Sequence, residues 1–336
     1  MSRCMNYTFQ TKYKWFHGEA PIDVLPDEIM IYIFRKLPLE ELIKCESVCQ
    51  RWNKIATDAV LWKRMPVVCS GQMGEISPRK LEIIDTHTNC LRCIKIQYML
   101  NYSVIKSLTG KCKNLISIEL IMCRLEKEFE EDLKKWPDLQ KLDLKNSLLK
   151  SETDLVIQFD QFKKLSYLGL SDFGLSSANC NTLLTSYNLV NINIDKIKGL
   201  TLEYVKLLIS TKQSTLEGLH LYGGTSVDDN VLFMLAKCPK LKELSITRCE
   251  SLSDKALVGI STFPKITRLQ LWNNTTFSES MLLATLKQPV LIKLKSLSLS
   301  KVRSVTPKIV DVISEYYNDL HFLALYQCPT ITESDY

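Results

Sequence analysis

Residues 241–249 read LKELSITRC, and the division of those nine side chains decides the fold. Leu241, Leu244 and Ile246 are apolar, while Glu243, Ser245 and Thr247 between and after them are polar. The alternation from Glu243 onward has the period of two expected of a strand with one buried face. Cys249 supplies a small side chain where the chain turns back into the coil. The segment in front of this stretch, DDNVLFMLAKC at 228–238, has its apolar residues at helical spacing. A similar start stands behind it, where Ser253-Asp254 offers a helix cap.

The same pattern recurs. L-x-x-L-x-L-x-x-C/N, with Ile at times for Leu, begins at Leu91, Leu115, Leu139, Leu165, Leu189, Leu216, Leu241, Ile266, Leu294 and Leu320. Successive starts lie 24, 24, 26, 24, 27, 25, 25, 28 and 26 residues apart. One strand and one helix per interval resembles a leucine-rich repeat, a unit that cannot hide its apolar face alone and does so by stacking. The fold class implied is α/β: a solenoid over 91–336 of about ten copies, with a curved parallel sheet inside and helices outside. The last copy, ending CPTITESDY, is expected to lack its helix.

The repeat accounts for five of the twelve cysteines. Cys123, Cys249 and Cys328 hold the ninth position, and Cys112 and Cys238 stand three residues before the strand, where other copies use Trp136, Phe162 or Phe263. Packing explains them. The segment MSRCMNYTFQTKYKWFHGEA at 1–20 has no apolar core of a leader, so the thiols are expected to be reduced and the protein cytoplasmic and/or nuclear. His87, Cys90 and Cys93 in HTNCLRC give three candidate metal ligands without a second half, and the expectation is ordinary packing and no metal.

Catalysis finds no support. No GxGxxG, Walker loop, GxSxG or HExxH is present, and four histidines are scattered. The expectation is therefore a non-catalytic protein without cofactor. The net charge of +6 is spread with no run of four Lys or Arg, which argues against nucleic acid. No apolar run reaches the ~18 residues that span a bilayer, which argues against a membrane partner.

Residues 21–65 depart from the repeat and read as three short helices. The first runs from about Asp27 to Lys36 and is ended by Pro38. LEELIKCE and SVCQRWNKIA form the others, followed by DAVLWKRM. Ile29, Ile33 and Leu37 share one stripe, while Ile31 and Phe34 fall elsewhere. A unit of about 40 residues is near the lower limit for enclosing its own core. Another polypeptide covering the surplus apolar surface, or docking on the first repeats, would each satisfy it.

A resemblance separates the two. Leu-Pro, Glu-Ile, Ile-Phe, Leu-Pro, Val-Cys-x-x-Trp and Leu-Trp follow one another in this segment with the spacing of an F-box. With the repeats behind it, the chain resembles the F-box/leucine-rich-repeat proteins: a tail at 1–20, a three-helix F-box at 21–65, a connector at 66–90, then the solenoid. The resemblance implies the substrate-recognition subunit of an SCF ubiquitin ligase. A Skp-type adaptor and, through it, cullin and RING subunits would be partners. The alternative is an interaction scaffold that does not promote ubiquitination. Carried onto this chain, the adaptor-binding residues are Leu25, Pro26, Ile29, Ile33, Phe34, Leu37, Pro38, Leu42, Val48, Cys49 and Trp52, some of which must also form the F-box's own core. Leu61-Trp62 is assigned to coupling the F-box to the repeats.

In such a repeat, strand positions 3, 5, 7 and 8 face solvent on the inner side. Aromatic and basic residues gather there late in the chain. Tyr222, Arg248, Trp272, Lys301 and Tyr326 have the composition of a binding hot spot and are the candidate substrate-binding residues. The competing reading packs these aromatics on neighbouring strands or a terminal tail. The two cations suit an acidic or phosphorylated segment of a protein substrate.

Overall fold

The structure is a computed structural model describing residue 22 and residues 24–63, 65–70, 76–149, 157–171, 177–195, 200–222 and 227–332. The tail at 1–20 lies outside the described residues.

Four helices come first: α1 Asp27–Phe34, α2 Leu39–Cys45, α3 Gln50–Ala56 and α4 Ala59–Trp62. Pro26 and Pro38 directly precede α1 and α2 with φ of −58° and −61°. The ring fixes that angle and has no N–H to leave unpaired, so each proline starts the helix behind it. Met30, Phe34, Leu42, Ile55, Ala56, Leu61 and Trp62 form the buried centre of this region.

The strands follow as β1 Pro66–Ser70, β2 Cys93–Gln97, β3 Ser117–Ile121, β4 Arg124–Leu125, β5 Lys141–Leu144, β6 Leu148–Leu149 and β7 Tyr167–Ser171. They continue with β8 Asn191–Asp195, β9 Gly218–Tyr222, β10 Glu243–Thr247, β11 Arg268–Gln270, β12 Ser296–Ser298 and β13 Phe322–Ala324. Eleven of these form one sheet in chain order, while β4 pairs with β6 apart from it. Every neighbouring pair is parallel, and equivalent repeat positions face each other, as Glu243 faces Gly218 and Arg268. The intervening helices are α5 Pro78–Thr86, α6 Tyr102–Gly110, α7 Phe129–Leu133, α8 Ser177–Thr185, α9 Leu202–Lys212, α10 Asp229–Leu235, α11 Asp254–Ile260, α12 Glu279–Leu286 and α13 Pro307–Tyr316. None of the described helices is long and apolar enough to cross a membrane.

The expected connector at 66–90 requires correction. Pro66–Ser70 pairs along its whole length with Cys93–Gln97 and is the first strand of the sheet, and Pro78–Thr86 is its helix. Val67 and Cys69 do the inward work that leucines do elsewhere, so the leucine template misses this copy. At the other end, Cys328 is buried after β13, and no helix follows it among the described residues through Thr332.

Two ladders hold the copies in register. Position 8 of the repeat is left-handed in Tyr98, Met122, Asn146, Arg248, Asn273, Lys301 and Gln327, with φ between 53° and 59°. That conformation costs roughly 1–2 kcal/mol for a residue with a Cβ. It turns position 9 inward, where buried side chains bind the preceding repeat. Asn274 Nδ2 donates to Ile246 O at 2.9 Å and its Oδ1 accepts from Cys249 N at 2.9 Å. Ser147 Oγ donates to Leu120 O at 2.8 Å and accepts from Cys123 N at 2.9 Å. Cys328 Sγ donates to Leu299 O at 3.3 Å. The second ladder joins helix starts: Ser253 Oγ donates to Asp229 Oδ2 and Ser278 Oγ to Asp254 Oδ2, both at 2.6 Å. Thr306 continues it by donating to Glu279 Oε1 at 2.6 Å and makes no cap bond to α13.

Candidate protein-interaction surfaces

The F-box-like helices have an inner and an outer face. On α1, Met30 and Phe34 are one turn apart and point inward, while Ile29 and Tyr32 are 47% and 60% exposed. Phe34 packs edge-on against Trp52 with centroids 5.1 Å apart. Arg51 on α3 forms an ion pair with Asp27 at 2.7 Å and donates to Leu25 O, which clamps α3 to the entry of α1.

Of the eleven residues expected to meet an adaptor, Pro26, Ile29, Pro38, Val48 and Cys49 are exposed, and Leu25, Ile33, Leu37 and Trp52 are partly buried. Phe34 and Leu42 are sealed in the helical core, at 1% and 0% exposure, and so belong to those of the set that form the helices' own core. Their place in the motif reflects packing within the domain. Tyr32, absent from the expected set, stands three residues beyond Ile29 with Lys36 Nζ 5.1 Å from its ring centre. The i, i+3 spacing from Ile29 was the available signal.

The helices are tied to the solenoid through Trp62. It is fully buried, donates from Nε1 to Ala56 O at 2.8 Å, and stacks on His87 with centroids 4.6 Å apart. His87 Nε2 meets Glu46 of the F-box region at 2.8 Å, and its Nδ1 lies 2.7 Å from Thr86 Oγ1. Cys93 Sγ donates to Lys63 O and Cys90 Sγ to His87 O. Of the three candidate ligands, His87 and Cys93 thus serve the joint between the two regions, and Cys90 bonds locally. Among the described residues no group of three or more His, Cys, Asp or Glu is placed to hold a metal ion. The eleven described cysteines are free thiols, and burial pushes Cys69, Cys90, Cys93 and Cys112 up to about 11.

The solenoid's inner face falls into a charge-matched part and a ridge. In the first, Glu119 accepts from Lys141 at 2.6 Å and lies 4.0 Å from Lys95. Asp143 lies 3.9 Å from Lys145 and accepts from the Tyr167 hydroxyl at 3.2 Å. Burial raises its pKa, with Lys145 and Lys141 opposing. A Cβ on Gly169 would collide with that carboxylate, so the glycine makes its slot. Further along, Arg268 binds Glu243 at 2.6 Å. His220 is driven down to about 4 by desolvation, assisted by Lys145 and Arg268.

The ridge runs along the C-terminal ends of the late strands and contains all five candidate substrate-binding residues. Arg248 lies 5.9 Å from the Tyr222 ring centre and donates to its hydroxyl at 3.1 Å. Lys301 Nζ lies 5.6 Å from the Trp272 ring centre. Trp272 is 41% and Tyr326 65% exposed. Gln327 donates to the Tyr326 hydroxyl at 3.1 Å. The aromatics do contact neighbours, Tyr222 and Trp272 through cations and Tyr326 through Gln327, yet Trp272 and Tyr326 keep ring surface open.

Sequence comparisons with known proteins agree with this architecture. The F-box-like family model matches residues 22–65. F-box/LRR-repeat protein 8 of Mus musculus is 31% identical over 71 residues, which are 21% of this chain and 19% of that protein. The match therefore spans about a fifth of the mouse protein's length. Putative F-box/LRR-repeat protein 9 of Arabidopsis thaliana is 23% identical over 237 residues, 67% of this chain and 86% of that protein. Among solved structures, a chain of the crystal structure of the Rad7 and Elc1 complex in yeast aligns with a TM-score of 0.49 and 15% identity. That alignment covers 92% of this chain and 84% of the other.

Proposed function

We propose that this chain, an F-box/leucine-rich-repeat protein, is the substrate-recognition subunit of an SCF-type ubiquitin ligase. The observation that carries the reading is apolar surface left outside a small helical unit: Ile29, Tyr32 and Val48 at about half exposure or more, flanked by Pro26 and Pro38. A Skp-type adaptor would cover that surface, and cullin and RING subunits would join through the adaptor. A cytoplasmic or nuclear location goes with this role.

The chain's own part is binding. No bond is made or broken by its residues; its work is to hold a protein substrate beside a charged ubiquitin-conjugating enzyme. Tethering raises the local concentration of substrate lysines to the order of millimolar and makes a rare encounter effectively intramolecular. The joint through Trp62, His87 and Glu46 suits that task, because it fixes the adaptor-binding helices against the substrate-holding repeats. The substrate surface proposed is Tyr222, Arg248, Trp272, Lys301 and Tyr326.

Direct mixing tests the reading. The full chain and a recombinant Skp-type adaptor should co-elute as a complex, and a variant lacking residues 22–65 should not. Affinity capture from cells should then bring down cullin with the intact chain. Absence of adaptor binding removes the proposal, and adaptor without cullin would favour a scaffold.

A further inference from the structure

The ridge carries more than composition. Arg248, Asn273 and Lys301 occupy position 8 in three consecutive repeats, all left-handed, with φ of 54°, 55° and 59°. Their amides continue the sheet ladder beyond the strands: Arg248 N donates to Trp272 O, Asn273 N to Ser300 O and Lys301 N to Tyr326 O, at 2.9–3.1 Å. The three side chains therefore leave the sheet edge in parallel, one strand apart. Arg248 and Lys301 are two strand spacings apart, about 10 Å at ~4.8 Å per strand. Each cation leans back by one repeat, Arg248 onto Tyr222 and Lys301 onto Trp272. Leaning the same way preserves their separation.

Elsewhere on the inner face Lys95, Lys141, Lys145 and Arg268 are matched by Glu119, Asp143 or Glu243. Arg248 and Lys301 form no ion pair among the described residues; Glu250 acts on Arg248 only from a distance. Both cations are held on rings, and part of the ordering a ligand would require has already occurred.

We propose that this ridge binds a substrate segment bearing two carboxylates three residues apart in a polyproline II conformation, one carboxylate on Arg248 and one on Lys301. For carboxylates three residues apart, the spacing selects the conformation. A β-strand places residues i and i+3 on opposite faces. Polyproline II has three residues per turn and rises about 3.1 Å per residue, so i and i+3 share a face about 9 Å apart. A single phosphate calls for cations converging on one group, and these two are held apart. The residues between the carboxylates lie over Asn273 and the open part of Trp272. This inference rests on the reading that the inner face captures substrate.

Fluorescence anisotropy on the full chain tests it. The probe is a short fluorescein-labelled peptide with two glutamates three residues apart and prolines around them. It should bind about tenfold or more tighter than the same peptide with glutamines, as a pair of charge-assisted contacts would give. Moving the glutamates to two residues apart should weaken it, and one phosphoserine in place of both should not restore it. Arg248→Asn and Lys301→Asn should each weaken binding roughly fivefold. The pair together should abolish the preference for glutamate. Asparagine already stands left-handed at Asn146 and Asn273, so melting temperature should stay unchanged. Equal binding of glutamate and glutamine peptides, tightest binding of the phosphoserine peptide, or indifference to either substitution overturns the proposal. A separate adaptor titration distinguishes the failures: adaptor bound with no peptide preference removes this inference alone, and peptide preference without adaptor binding removes the ligase reading alone.

Discussion

Over residues 24–62 the helices leave Val24, Ile29, Tyr32, Val48 and Val60 substantially exposed, whereas over the comparable stretch 227–262 of the solenoid only Phe233 and Val258 are, each near 40%. Both stretches are rich in apolar residues. They differ in their neighbours. An interior repeat has a copy on either side, so α10 packs on α9 and α11, and β10 pairs with both β9 and β11. Four helices of four to eight residues have no such neighbours, and their outer faces stay open. On the function proposed above, the contrast separates two uses of apolar residues, one for holding the chain to itself and one for holding it to another chain.

The widest expected effect lies where the two regions meet. Trp62→Ala removes a fully buried indole, its bond to Ala56 O and its stack on His87, and should destabilise the protein by about 3–5 kcal/mol. Denaturant unfolding measures this. If the joint also fixes the F-box helices, a second, earlier transition should appear in the variant. A loss below about 1 kcal/mol would mean that the two regions are coupled elsewhere.

Ile29→Asp should do the opposite. The side chain is half exposed, so stability should change by no more than about 0.5 kcal/mol. Adaptor affinity should fall by at least about 2 kcal/mol, roughly thirtyfold, as expected for an interface anchor. Calorimetric titration against the adaptor gives the second number. Equal loss of fold and affinity would place Ile29 in the core and blur the comparison.

These two residues also mark how far the sequence could be read. The repeat was legible because the L-x-x-L-x-L spacing is a direct image of strand burial, recurring at nearly constant interval. Pro66–Ser70 was not, because Val67 and Cys69 fill the inward sites without leucine. In the helices, Ile29/Ile33 and Met30/Phe34 form two apolar stripes side by side, either of which could face inward. Spacing cannot choose between them; the packing of Phe34 on Trp52 does. The left-handed backbone at Tyr98, Met122, Arg248 and Lys301 had no glycine to announce it. It is imposed by the need to turn position 9 inward. Tyr222, Arg248, Trp272, Lys301 and Tyr326 could be placed on one line from the repeat alone, but their pairing of cation on ring could not.

Within the solenoid, the position-9 ladder offers a finer test. Asn274→Ala would leave the buried Cys249 N and Ile246 O without their partners, and should cost about 1–3 kcal/mol. Asn273→Ala, next to it and outside the ladder, should cost only the left-handed strain of an alanine, about 1 kcal/mol. Unfolding midpoints of the two variants compare them. Equal losses would mean that the turn, and not the ladder, sets the register.

The smallest effect concerns acid. His220 is held neutral on the inner face, its pKa lowered to about 4 by desolvation with Lys145 and Arg268 adding repulsion, while Glu243 stands 4.0 Å from Nε2. An unfolded histidine titrates near 6.5. Between those values the unfolded chain binds the proton more readily than the folded one, so stability falls as the pH drops from about 6.5 toward 4. Above 6.5 the contribution is complete. The ring is about a third exposed, and solvent screening limits the effect to about 1 kcal/mol. His220→Gln should therefore narrow the difference in unfolding free energy between pH 7.5 and 5 by that amount. An unchanged difference would mean that Glu243 stabilises the charged ring as much as burial opposes it, and that the inner face is better hydrated around His220 than its neighbours suggest.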